Sequence, residues 1–173
     1  MDFFSIIGML FVSYLFIFAV LLIFIDCNIG LLWYIYFGKK LSILKNKVIW
    51  VTGASSGIGE YLAFEFSKNG AKLILTARSQ NNLKRVKNRC IKEGGAKEDD
   101  IAILPFDVTK GSEHGKIFEQ AISCFGKLEI LVNNAGRSQR AQFEDIEISV
   151  DREMFELNTF AAISLSRLSV KYF

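Results

Sequence analysis

The chain has 173 residues, a formal net charge of +3 and a hydrophobic content of 51%, with mean hydropathy +0.28. That length holds one domain of ordinary size, and so mild a basic excess, without a groove of interleaved basic and aromatic residues, argues against nucleic acid as a partner. Cys27, Cys90 and Cys124 are odd in number, widely spaced and free of any C-x-x-C pair, which argues against a disulfide framework or a zinc site.

The apolar excess is concentrated at the N-terminus. Phe3 to Ile25, FFSIIGMLFVSYLFIFAVLLIFI, holds no charged residue. At about 1.5 Å per residue, a helix of that length crosses a hydrocarbon core of about 30 Å. Ile29 to Gly38 is too short to span, and its Trp33, Tyr34 and Tyr36 suit the membrane–water interface. The chain opens Met1-Asp2 and no A-x-A-like site follows the run, so the pattern predicts a retained anchor over residues 1–38 rather than a cleaved signal peptide. All 21 basic residues and 16 of the 18 acids lie in 39–173, giving that part +5. Lys39, Lys40, Lys45 and Lys47 crowd the C-terminal flank of the anchor. This predicts a single pass with the folded part in the cytosol and the lipid bilayer as a partner.

After a linker at 39–46 the pattern becomes alternating strand and helix. KVIWVT (47–52) predicts a first buried strand. IGEYLAFEFSKNG (58–70) predicts a helix with Ile58, Leu62 and Phe66 at helical spacing and a stop at Asn69-Gly70. KLILTA (72–77) predicts a second strand. The segment 79–95 predicts a helix capped by Ser79 and closed by a double glycine. DIAILPFDV (100–108) predicts a third strand, 112–126 a third helix, KLEILVNNAG (127–136) a fourth strand and turn, and 149–173 a long last helix. His114 lies in the polar KGSEHGK and is expected to be solvated. Near-continuous apolar strands joined by helices predict a doubly wound parallel sheet of the α/β class, Rossmann-like, over residues 47–173.

Between the first strand and the first helix stands VTGASSGIGE, with Gly53, Gly57 and Gly59. In a strand–turn–helix unit, the first glycine allows the tight turn, the second lets backbone approach a pyrophosphate, and the third lets the helix pack on the sheet. The helix N-terminus offers free N–H groups and partial positive charge to phosphate. By itself such a turn is also compatible with a tight connection that binds nothing.

The spacing G-x-x-x-G-x-G in TGASSGIG resembles the phosphate loop of the short-chain dehydrogenase/reductase family, in its classical branch. NNAG at 133–136, DV at 107–108 and the asparagine of ELNTF resemble further motifs of that family, in order and spacing. The resemblance implies an oxidoreductase interconverting carbonyls and alcohols with a nicotinamide cofactor, acting on retinoid- or steroid-like substrates at the endoplasmic reticulum membrane. It assigns Gly53, Ser55, Ser56, Gly57, Ile58 and Gly59 to the phosphate loop and Arg78 to the adenosine ribose. It assigns Asp107 and Val108 to the adenine, and Asn134, Ala135 and Gly136 to the inner face of the cofactor. Asn158 takes the place of the catalytic asparagine, and an ordinary helix residue is the alternative for it.

An NAD site places an acid after the second strand, to bond the ribose 2′-hydroxyl. No acid occurs between Glu65 and Glu93, and Arg78 stands there instead. A guanidinium suits a 2′-phosphate, so NADP(H) is the expected cofactor. Ser56 departs from the pattern of relatives that carry a second basic residue before the middle glycine. The family also uses a serine and a Tyr-x-x-x-Lys pair, whose lysine lowers the tyrosine pKa from about 10. Beyond Asn158 only 15 residues remain, and their one tyrosine, Tyr172, is followed by Phe173 alone. The sequence thus predicts a C-terminally truncated member with the fourth strand left at an open edge. A non-catalytic nucleotide-binding or interaction isoform, dimerising through its last helix, is the alternative.

Overall fold

The computed structural model describes residues 2–24, 29–38 and 40–173. They form two units, Met1–Lys40 and Leu41–Phe173. Ile25 at the end of the expected span, Cys27, and Lys39 of the basic flank lie outside the described residues. In the first unit, α1 (Phe3–Phe24) contains an apolar stretch, Phe3–Leu22, of 20 residues that is long enough to cross a bilayer and has no buried side. The short α2 (Ile29–Phe37) exposes Trp33, Tyr34 and Tyr36.

The second unit is built on four parallel strands: β1 (Val48–Thr52), β2 (Lys72–Thr76), β3 (Ile101–Ile103) and β4 (Ile130–Val132), in the order β3-β2-β1-β4. β1 is buried throughout because both faces are covered. Ile49 and Val51 point into a core shared with α3 (Gly57–Lys68) and α4 (Gln80–Lys92). Val48 and Trp50 point to the opposite core, filled by α5 (His114–Phe125) and α7 (Ala161–Tyr172). The indole N–H of Trp50 is satisfied by the Thr76 hydroxyl on the neighbouring strand at 2.8 Å. Helices on both faces of a parallel sheet give the expected α/β, Rossmann-like architecture. The change of face between β3 and β4 leaves a crevice at the C-terminal ends of β1 and β4, where such sheets bind ligands.

The third strand is much shorter than 100–108. Leu104 and Phe106 still donate to the carbonyls of Leu75 and Ala77, but Pro105 between them has no N–H to give, which suits an edge position. The face of α3 also differs. Gly59, Glu60, Ala63 and Ser67 are its buried residues, whereas Ile58 is 73% exposed and Leu62 and Phe66 are half-buried. The packed stripe is offset from the apolar one because Gly59 and Ala63 are small enough to seat the helix against the sheet.

The long C-terminal helix is not uniform. α6 (Ile148–Phe155) passes into α7 through a π turn over Glu156–Phe160, closed by the Ala161 N–H bonding the Glu156 carbonyl. Single π turns inside α-helices recur at functional sites, and this one contains Asn158.

Candidate functional site

A cleft of about 840 Å³ opens at the C-terminal ends of the four strands. Every strand contributes to it through the segment that follows: Gly53 and Ser55 to Ile58 after β1, Arg78 and Asn82 after β2, Asp107 and Val108 after β3, and Asn134 to Arg137 after β4. Of the expected site residues, Gly53, Ser55, Ser56, Gly57, Ile58, Arg78, Asp107, Val108, Asn134, Ala135 and Gly136 line this one cleft. Gly59 and Asn158 do not. Gly59 lies beneath the loop, and Asn158 sits one layer behind Gly136 and Arg137.

The glycine turn is held from below. Gly53 has φ +65, and a Cβ there would meet the Ala135 backbone at 2.7 Å. A Cβ on Gly59 would run into the Gly53 carbonyl and the Asn134 side-chain amide. That amide donates to the Thr52 and Gly53 carbonyls at 3.1 and 3.2 Å, and the Thr52 hydroxyl accepts from the N–H groups of Asn134 and Ala135. The ends of β1 and β4 are thereby locked together under the loop. Gly57 differs from both, with φ +58 and open space where its Cβ would stand. This vacant cradle lies at the first turn of α3, whose N-cap Ser56 makes no side-chain capping bond. First-turn N–H groups have no partner within their helix and carry the positive end of its dipole. A diphosphate fits this arrangement in size and charge.

Asp107 lies at the other end of the cleft. Burial works to raise its carboxyl. The N–H and hydroxyl of Thr109, at 3.1 and 2.8 Å, together with the charges of Arg78 and Lys110, outweigh burial and hold it below its ordinary value. Arg78 itself is exposed at the cleft wall directly after β2.

Asn158 spends its amide on a backbone. Its Oδ1 accepts from the Arg137 N–H at 3.0 Å, and its Nδ2 donates to the Arg137 carbonyl at 2.9 Å. The π turn therefore pins the segment that follows NNAG. Arg137 in turn pairs with Glu153 at 2.7 Å on the cleft rim. Tyr172 packs edge-on against Phe118 of α5, and it is not among the residues lining the cleft.

Sequence reasoning missed His114. It is 2% exposed, not solvated. One ring nitrogen lies 2.8 Å from the Val108 carbonyl and the other 2.7 Å from the Ser164 hydroxyl of α7. The carbonyl can only accept, so Nε2 carries a proton, and the ring bridges the Val108 wall of the cleft to the last helix. The available signal was the spacing of His114, Ile117, Phe118 and Ala121, the buried stripe of α5. Asn82, Arg137, Glu153 and Glu156 also line the cleft and were not expected.

Residues 47–173 match the family model of the short chain dehydrogenases. Dehydrogenase/reductase SDR family member 7 of Mus musculus is 45% identical over 143 residues, covering 82% of this chain and 42% of that protein. 11-beta-hydroxysteroid dehydrogenase A of Sesamum indicum is 38% identical over 127 residues, covering 73% of this chain and 36% of that protein. Among solved structures, the 3-ketoacyl-(acyl-carrier-protein) reductase of Brucella melitensis complexed with NADH superposes with TM-score 0.68 at 31% identity. It covers 75% of this chain and 51% of the other. The apo form of Caenorhabditis elegans glucose dehydrogenase gives TM-score 0.64 at 31% identity over 75% and 50%. The chain thus spans less than half the length of these curated relatives and about half that of these solved chains.

Proposed function

The chain belongs to the short-chain dehydrogenase family of oxidoreductases, and from that premise we propose that its cleft holds NADP(H) in a membrane-anchored enzyme interconverting carbonyls and alcohols. The observation that carries the cofactor choice is Arg78, exposed at the cleft wall directly after β2, where an acid would favour the free 2′-hydroxyl of NAD. When bound, the nicotinamide supplies the hydride, and the residues of this chain hold and orient the dinucleotide. The first turn of α3 and the cradle at Gly57 take the diphosphate. Asp107 and Val108 flank the adenine, and Asn134 to Gly136 face the inner part of the cofactor. Asn158 takes the role of the active-site asparagine from within the π turn.

The names of the relatives support a lipophilic substrate of steroid or retinoid kind. The apolar stretch Phe3–Leu22 supports a membrane anchor, for which the family resemblance implies the endoplasmic reticulum, and the lysines after it support a domain on the cytosolic side. Residues 47–173 would be the dinucleotide-binding part of the family domain, with 39–46 as linker.

A second reading has its own observation. General acid catalysis needs a donor within reach of the carbonyl oxygen. Beyond Asn158 the only tyrosine is Tyr172, engaged with Phe118 and not among the cleft-lining residues. A polypeptide of residues 1–173 would then bind the nucleotide without turning over a carbonyl, and the last helix would be its surface for a second copy.

The test is titration of the detergent-solubilised chain with NADPH, followed by the emission of the bound nicotinamide, beside an assay with retinal, steroid and quinone substrates. Saturable binding is expected on either reading; turnover supports the enzyme and its absence the second reading, and Gly57→Val should abolish the binding by filling the cradle and straining a positive φ. Absence of binding by the parent chain would refute the cofactor site. Turnover lost in Tyr172→Phe would overturn the placement of that tyrosine.

A further inference from the structure

The phosphate loop has a support that neither the glycine pattern nor the cleft lining contains. Asn82 and Arg85 stand three apart on α4. Asn82 reaches the cleft, and Arg85 reaches behind it. The Arg85 guanidinium donates from Nη1 and Nη2 to the two carboxylate oxygens of Glu60 at 2.8 and 2.6 Å. The same Nη2 donates to the backbone carbonyl of Ser55 at 3.0 Å. Arg89, one turn on, adds a bond of 2.9 Å to Glu60. Glu60 is 7% exposed in the first turn of α3, so a carboxylate stands near the point where the cleft is to receive a diphosphate. Two guanidinium groups leave the trio with a net positive charge. The hydrogen bond from Arg85, followed by that from Arg89, holds the Glu60 carboxyl below its ordinary value against the effect of burial.

We propose that Arg85 is a positioning residue for the cofactor: by holding Glu60 and the Ser55 carbonyl together, it fixes the orientation of the peptide that joins Ser55 to Ser56. This rests on the reading of the cleft as a dinucleotide site. In a planar trans peptide the carbonyl and the following N–H point in opposite directions. With the Ser55 oxygen drawn toward α4, the Ser56 N–H is turned away from α4, and Ser56 lines the cleft. Were this peptide free to turn, its carbonyl would face the phosphates and repel them. The planar fork meets both Glu60 oxygens and the Ser55 carbonyl at once. A lysine ammonium keeps the charge but has no fixed fork to hold the carboxylate bidentately with the carbonyl beside it.

The test compares the parent chain with Arg85→Ala and Arg85→Lys in affinity for NADPH, NADH, adenosine 5′-diphosphate and adenosine. The near-UV circular dichroism of buried Trp50 reports that each variant is folded. Arg85→Ala is expected to weaken both dinucleotides and the diphosphate by about tenfold, the size of one lost hydrogen bond to a charged group. The NADPH-to-NADH ratio and the adenosine affinity should stay unchanged. Arg85→Lys keeps a charge beside Glu60 and should restore the folded signal without restoring diphosphate affinity, so it carries the comparison if the alanine variant does not fold. Unchanged diphosphate affinity in a folded variant overturns the proposal. So does loss confined to NADPH, which would make Arg85 a reader of the 2′-phosphate. Failure of the parent chain to bind any of the dinucleotides overturns the cleft reading and this proposal together, whereas the first two results leave that reading standing.

Discussion

Glu129, at the entry to β4, accepts bonds from the ammonium groups of Lys47 (2.6 Å) and Lys127 (2.9 Å) and from the Val48 N–H (3.1 Å). These partners, Lys47 foremost, hold its carboxyl at about 2, well below the ordinary 4.5. A carboxyl depressed in the folded state contributes stability that is complete above its unfolded value and is lost as pH falls through the folded one. The β1–β4 junction should therefore weaken as the pH drops from about 4.5 toward 2. Urea midpoints measured across that window should fall for the parent chain and fall less for Glu129→Gln, which has no charge to lose. Parallel curves for the two proteins would remove Glu129 from the acid response. Asp107 and Glu60 are also held low and add to the same slope, so the comparison with Glu129→Gln isolates one residue's share.

Among the elements, the π turn has the most specific consequence. Asn158 fastens the Arg137 backbone by its N–H and its carbonyl. Both bonds are exposed, so Asn158→Ala should cost only about 1 kcal/mol of global stability. It should still release the segment after NNAG, seen as loss of amide protection at Arg137 by hydrogen exchange. Retained protection there would show that other contacts hold the loop. The four strands and the glycine turn were legible in the sequence because their demands are local. A β-turn-α unit with positive φ at Gly53 and Gly57, and with no room for a side chain on Gly59, admits few other residues. The cleft residues carried by motifs were legible for the same reason. What was not legible depends on distant partners. His114 is buried because the Val108 carbonyl and the Ser164 hydroxyl, the latter 50 residues away, complete its hydrogen bonds. Glu60 gave no signal in the loop motif, since its two arginines come from another helix. The regular pairing of β3 ends at Ile103, although Leu104 and Phe106 go on donating to Leu75 and Ala77, and Pro105 lies between them on the edge with no N–H to give. A π turn has no compositional mark that separates ELNTF from ordinary helix.

At the scale of the molecule, an apolar helix and a dinucleotide fold share one chain. The uncharged run at the N-terminus predicts that the protein stays in the membrane pellet after alkaline carbonate washing, and its recovery in the supernatant would refute the anchor. The folded unit presents one cleft to which all four strands contribute, and the account stands or falls on what that cleft selects. The most direct measurement is the ratio of NADPH to NADH affinity for the parent chain and for Arg78→Ala. Losing a charge-assisted hydrogen bond costs about 1.5–3 kcal/mol, roughly ten- to a hundredfold in affinity. The account predicts that the parent prefers NADPH and that Arg78→Ala loses that preference while its NADH affinity holds. Equal weakening of both cofactors, or a parent chain that prefers NADH, would contradict it.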